Sequence, residues 1–138
     1  MHADPISTAP RALIIEDEAL IAEELRERLL RLGITVIATV SSGEEGIEIA
    51  TRERPDLVLM DIRLSGTKDG VQAAREIRDQ VDVPIVYLTA YSDRRTVERA
   101  NKTDHDGFIL KPFLRRELQS TIEVALQRYA IRAKQKLQ

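Results

Sequence analysis

Five side chains that could do chemistry stand at the ends of short apolar runs. Glu16 and Asp17 follow Ala12-Leu13-Ile14-Ile15, and Asp61 follows Leu57-Val58-Leu59-Met60. Thr89 follows Ile85-Val86-Tyr87-Leu88, and Lys111 follows Phe108-Ile109-Leu110. A carboxylate closing such a run raises a question, because Asp is very rarely left unpaired inside a protein. Two like charges about 4 Å apart repel by roughly 4 kcal/mol at an effective dielectric near 20. Acids gathered at one place raise one another's pKa unless a cation joins them. Lys111 offsets one charge, and the remainder invites a divalent ion. The donors are all oxygen, which suits Mg²⁺ with retained waters over zinc. His2 and His105 are the only histidines, neither at the end of such a run, and there is no cysteine. Disulfides, thiolate metal sites and a cysteine nucleophile are thereby excluded.

The runs themselves, with Thr35-Val36-Ile37-Ala38 as the fifth, are too short for helices. They are continuous rather than alternating, as in parallel strands covered on both faces. Between them lie helical patterns. Over 19–32, Leu20, Ile21, Leu25, Leu29 and Leu32 share a stripe, and Gly33 supplies the stop. Over 43–54, Ser42 and Glu45 have the spacing of a capping box, and Pro55 ends the helix. Asp69 is the N-cap expected for 69–80. The stretch 92–102 is strongly polar, with Val97 and Ala100 its main apolar residues. The stretch 114–138 carries Leu114, Leu118, Ile122, Ala125, Leu126 and Tyr129.

The order βαβαβαβαβα calls for a parallel sheet with helices on both faces. In such a sheet, ligands bind beyond the carboxyl ends of the strands, where strand order reverses. Glu16, Asp17, Asp61, Thr89 and Lys111 are predicted to meet at that end.

At 138 residues the chain is about one domain long. It is 43% hydrophobic and 32% charged, with a net charge of −2. That gives no basic field implying nucleic acid, and no apolar run approaches the ~18 residues of a membrane span. The opening MHADPISTAP lacks the basic and apolar regions of a secretory signal, so we expect a flexible arm over 1–10 and a cytoplasmic domain.

These motifs carry a resemblance. Glu16-Asp17, Asp61 within LMDIRL, Asp69-Gly70, Thr89-Ala90 within YLTAY, and Lys111-Pro112 within ILKPF resemble the receiver domain of two-component response regulators, the CheY-like family. Each motif is weak alone, but five in order, each closing or following a strand, are highly specific. The resemblance implies a flavodoxin-like (βα)5 three-layer sandwich over 11–128, with a five-stranded parallel sheet of order 2-1-3-4-5. Residues 129–138 would extend the last helix.

The resemblance also implies roles. Asp61 would take a phosphoryl group from a phosphohistidine on a sensor histidine kinase or phosphotransfer protein. Asp17, Asp61 and the backbone carbonyl of Arg63 would ligate Mg²⁺, with Glu16 acting through a metal-bound water. Lys111 would contact the phosphoryl oxygens, and the Lys111-Pro112 peptide would be cis. Thr89 and Phe108 would form the switch, turning the surface of helix four, strand five and helix five toward a partner or a second copy. The chemistry agrees, since phosphoryl transfer needs in-line positioning and charge cancellation more than covalent help.

Several positions depart from the family pattern. Glu16 stands where Asp is commoner, Ser65 where a proline is usual, and the loop LSGTKDG is one residue longer. With TAYSD and GFILKPF, that loop resembles a subgroup that stands alone or precedes sensor-kinase modules. Phe108 offers no hydroxyl where Tyr is frequent, so a switching signal must come from packing. Arg63 and Tyr91 flank the expected path of attacking water, and their bulk is expected to slow hydrolysis of the acyl phosphate.

Simpler readings stand beside these. Glu18 reads as the start of the first helix, and His105, Asp104 and Asp106 as exposed loop residues. Tyr87 and Phe113 read as packing. The basic end of the last helix, with Arg132, Lys134 and Lys136, is a fraying tail, a partner helix or a linker. Two rival functions share the pattern: an aspartyl-phosphate hydrolase of the haloacid dehalogenase type, and an inert adaptor. The hydrolase reading wants a second Asp at Arg63.

Overall fold

In a computed structural model the described residues are 9–64, 66–90, 94–102 and 105–137, with backbone alone for 96, 97 and 132–137. Ser65, Tyr91, Ser92, Asp104, Gln138, most of the expected arm and the side chains of Val97, Arg132, Lys134 and Lys136 lie outside them.

Five strands and five helices alternate. The strands are β1 (Arg11–Ile15), β2 (Thr35–Val40), β3 (Leu57–Asp61), β4 (Ile85–Thr89) and β5 (Phe108–Leu110). The helices are α1 (Ala19–Arg31), α2 (Gly43–Glu53), α3 (Gly70–Gln80), α4 (Arg94–Asn101) and α5 (Arg115–Leu137). All pairings are parallel and the strand order is β2-β1-β3-β4-β5. The alternation predicts the parallel sheet, and the flavodoxin-like strand order is the one the family resemblance implies.

The strands read as continuous apolar runs because each face of the sheet is buried against its own helices. Leu13, Ile15, Val58, Met60, Ile85 and Tyr87 face α2 and α3 through Ala50, Val71, Ala74 and Ile77. Ala12, Ile14, Leu57, Leu59, Val86 and Leu88 face α1 and α5 through Leu25, Leu29, Leu118 and Ile122. The edge strand β2 departs from the expected coverage: its residues are half-buried or exposed, since only one neighbour flanks it.

The helix ends follow local chemistry, with one correction. Ser42 Oγ accepts from Glu45 N at 3.2 Å, but the Glu45 carboxylate accepts from the Ser42 hydroxyl at 3.1 Å. The cap is therefore one-sided. The complete reciprocal box is at α3, where Asp69 Oδ1 accepts from Gln72 N at 2.9 Å and Gln72 Oε1 accepts from Asp69 N at 3.0 Å.

The stretch leading into β5 corrects the exposed reading of Asp106 and His105. Asp106 is buried. Its backbone N–H donates to Ile85 O at 2.8 Å, and its Oδ2 accepts from Ile85 N at 3.0 Å. Arg78 of α3 donates to that same oxygen at 2.5 Å. The His105 ring is half-buried, 4.5 Å from the Phe108 ring and 5.8 Å from that of Tyr87. A short edge strand needs such anchoring from its flanks, which draws both residues inward.

Candidate functional site

Strand register decides which side chains meet. Ile15 pairs with Met60, Asp61 with Leu88, and Thr89 with Leu110. The next residues, Glu16 and Lys111, therefore emerge on either side of Asp61. The backbone continues the register: Glu16 N donates to Val40 O at 2.9 Å, and Lys111 N to Thr89 O at 2.8 Å.

Glu16, Asp17 and Asp61 each offer a carboxylate oxygen within 4.8 Å of the others. Asp61 is 4% exposed and Glu16 3%. Asp61 Oδ1 accepts from Arg63 N at 3.0 Å, and Glu16 Oε2 accepts from Glu18 N at 3.1 Å. Lys111 Nζ lies 2.9 Å from Glu16 Oε1 and 3.4 Å from Asp61 Oδ2. The shorter contact is a buried ion pair. Thr89 is buried, with its hydroxyl donating to Ala90 O at 3.3 Å.

Crowding shows in the electrostatics. Burial, then the Glu16 charge, pushes the Asp61 carboxyl up to about 7 against the pull of the Arg63 N–H and Lys111. Burial draws the Lys111 ammonium down, but Glu16 and Asp61 outweigh it and hold its pKa above the ordinary value. One ammonium does not fully neutralise the buried acids. An all-oxygen cluster with surplus negative charge fits a hard divalent cation such as Mg²⁺.

The loop behind Asp61 is tightly held. Gly70 N donates to Ile62 O at 3.2 Å. A Cβ at Gly70 would collide with Asp61 O and lie 2.8 Å from Ile62 Cα. Thr67 donates to Glu44, Lys68 to Glu76, and Arg99 of α4 to Asp69 Oδ2 at 2.9 Å. The Lys111-Pro112 peptide is cis.

Of the site residues expected from sequence, Glu16, Asp17, Asp61, Thr89 and Lys111 come together at the carboxyl end of the sheet, and exposed Arg63 follows directly. Phe108 stands apart, half-buried and stacked 5.6 Å from Tyr87. Sequence reasoning missed the Arg99–Asp69 clasp and the direct Glu16–Lys111 contact. No spacing rule encodes either, although the extra methylene of Glu16 hinted at longer reach.

Comparison with known proteins agrees with this geometry. The family model described as the response regulator receiver domain matches residues 12–123. The chain is 41% identical over 119 residues to the transcriptional regulatory protein PdtaR of Mycobacterium tuberculosis, covering 86% of this chain and 58% of that protein. It is 37% identical over 119 residues to the transcriptional regulatory protein AfsQ1 of Streptomyces coelicolor, covering 86% and 52%. The chain thus spans about half the length of these curated relatives. Among solved structures, the signal receiver domain of a modulated diguanylate cyclase from Desulfovibrio desulfuricans superposes with a TM-score of 0.84 at 35% identity, covering 90% of this chain and 98% of that one. The N-terminal domain of a response regulator/sensory box/GGDEF protein from Carboxydothermus hydrogenoformans gives 0.82 at 32% identity, covering 89% and 98%. With its sheet order, its acidic strand ends and this match across most of its length, the chain belongs to the response regulator receiver domain family.

Proposed function

We propose that this receiver accepts a phosphoryl group on Asp61 from a phosphohistidine of a sensor histidine kinase or phosphotransfer protein. An Asp61 carboxylate oxygen attacks phosphorus in line. The phosphorus–nitrogen bond breaks, its electron pair returns to the imidazole, and Asp61 becomes an acyl phosphate. The carrying observation is a buried Asp61 that shares Lys111 with Glu16 and clusters with Asp17.

Each residue has a part. Asp17, Asp61 and the Arg63 carbonyl would hold Mg²⁺, with Glu16 contributing through a coordinated water. A bound Mg²⁺ supplies charge cancellation on the phosphoryl oxygens and keeps Asp61 ionised. Lys111 meets the transferred group, and the Thr89 hydroxyl turns from Ala90 O to bond to it. Phe108 then repacks in the space Thr89 leaves.

Output passes through α4, β5 and α5 to a partner, a second copy or an attached module. The receiver unit spans 11–128, the last helix runs on past it to Leu137, and the setting is the cytoplasm. The domain catalyses only its own phosphorylation and dephosphorylation. The hydrolase reading is disfavoured because exposed Arg63 stands where a general acid would be needed.

Incubation with acetyl phosphate and Mg²⁺ followed by intact mass measurement tests this. A gain of about 80 Da, one phosphoryl group, that disappears in Asp61→Asn supports the reading. Sustained turnover of a phosphate ester points to the hydrolase, and an unchanged mass to the adaptor.

A further inference from the structure

His105 makes contacts that phosphoryl transfer does not use. Its half-buried imidazole lies 4.5 Å from the Phe108 ring in an edge-to-face arrangement, at an interplanar angle of 64°. Tyr87 closes the group, 5.8 Å from His105 and 5.6 Å from Phe108. Gly107 N donates to His105 Nδ1 at 3.2 Å, and Nε2 meets Asn101 Oδ1 at 3.2 Å. A backbone N–H can only donate, so Nδ1 accepts and the neutral ring carries its proton on Nε2. That proton is donated to Asn101, the last residue of α4.

The two sides of the ring are held unequally. On the strand side, Gly107 O accepts from Tyr87 N at 2.9 Å, and Asp106 N donates to Ile85 O at 2.8 Å. Gly107 has a φ of +146°, and a Cβ there would lie 2.8 Å from Thr121 Cγ2 of α5. Such a backbone favours glycine, and its anchoring fixes the N–H that faces Nδ1. On the helix side the partner is an exposed side chain at a helix end. If the imidazole tilts, the bond to Asn101 yields first.

From this we infer that His105 is a positioning residue that couples the Phe108 ring to the C-terminal end of α4. The inference goes beyond the switch role proposed for Phe108 and rests on it. A phenyl ring has no polar atom with which to pull on a neighbour. His105 supplies one. Edge-to-face rings prefer a narrow set of geometries, so repacking of Phe108 displaces the imidazole, and Nε2–H carries that displacement to Asn101.

NMR of the full chain under acetyl phosphate and Mg²⁺, with phosphorylation checked by mass, tests the coupling. In wild type, the Phe108 ring signals and the amide signals of residues 94–101 should both move. Asn101→Ala removes the acceptor on α4, and His105→Phe keeps an aromatic ring without either hydrogen bond. In both variants Phe108 should still respond. The α4 displacement should fall by roughly threefold or more, the scale on which one net hydrogen bond biases a population. A wild-type displacement of α4 in either variant would overturn the inference. So would a phosphorylated wild type whose Phe108 signals stay still, which also removes the switch role of that ring.

A second readout needs no phosphorylation. Phe108→Leu keeps an apolar side chain but removes the ring against which His105 packs. The side-chain amide of Asn101 should be ordered in wild type and lose most of that order in Phe108→Leu, measured by nitrogen-15 relaxation. Unchanged order would overturn the coupling. A wild type that gains no phosphoryl group would instead strike at the phosphoacceptor reading, and the order of Asn101 would then decide the coupling alone.

Discussion

Arg78 on α3 and Asp106 ahead of β5 form an ion pair of 2.5 Å, with the Asp106 carboxylate almost wholly buried. The same carboxylate oxygen accepts from Ile85 N at 3.0 Å, so one side chain ties α3, β4 and the entry to β5 together. Removing one partner of a buried pair leaves the other charge uncompensated, at about 3–5 kcal/mol. Asp106→Ala should therefore lower the urea midpoint sharply. Asp106→Asn, which keeps an acceptor for Ile85 N, should lose less. Equal losses in the two variants would show that the charge paired with Arg78, and not the acceptor offered to Ile85 N, carries the stabilisation.

Gly70 should tolerate no side chain. A Cβ there would drive into backbone at Asp61 and Ile62, which cannot swing aside. Overpacking of this kind costs about 1–3 kcal/mol. Gly70→Ala should lose that much stability and also displace Asp61, slowing phosphorylation. Stability measured by denaturation and phosphorylation measured by mass should fall together.

The pH dependence has a definite sign. The Asp61 carboxyl has an ordinary value of 3.8 and sits at about 7 in the fold. Between these values the folded state holds a proton that the unfolded state has released, so metal-free stability declines as pH rises from about 4 to about 7. The size is on the order of 2–4 kcal/mol. Asp61→Asn lacks this loss and should be the more stable protein at pH 8 without metal. Comparing the two pH–stability curves isolates the carboxyl, and parallel curves would refute it.

Magnesium should reverse that penalty. A ligand that binds only the folded state stabilises it in proportion to RT ln(1 + [L]/Kd), about 2.7 kcal/mol at a hundredfold excess over Kd. At pH 8, Mg²⁺ should raise the melting temperature of wild type well above any effect on Asp61→Asn. Equal rises would mean that Asp61 is not a ligand.

The α3 cap is a smaller test. Asp69→Ala removes the acceptor for Gln72 N and the partner of Arg99. Loss of such a cap costs about 1 kcal/mol, and the exposed Arg99 contact adds little. A loss several times larger, read by thermal melting, would mean that Asp69 also holds the Asp61 loop in shape.

Much of this protein was legible from consecutive residues. Continuous apolar runs such as 57–60 separated by amphipathic stretches determine a parallel sheet with two covered faces. Acids, hydroxyl and ammonium at the ends of those runs mark one edge of it. Both inferences rest on local periodicity, which a chain carries whatever its distant neighbours do. Asp106 shows the converse. A charged residue in a turn looks solvated until the fold brings Arg78, 28 positions away, to its side. The half-exposed state of β2 likewise depends on its place at the sheet edge, not on its own apolar residues. The pairing of Glu16 with Lys111 was equally invisible. Strand order and register alone carry those two side chains from opposite ends of the chain to opposite flanks of Asp61. Sequence therefore determined which groups reach the sheet edge, and tertiary structure decided which of them touch, because contact at 3 Å depends on register and twist that no local pattern encodes.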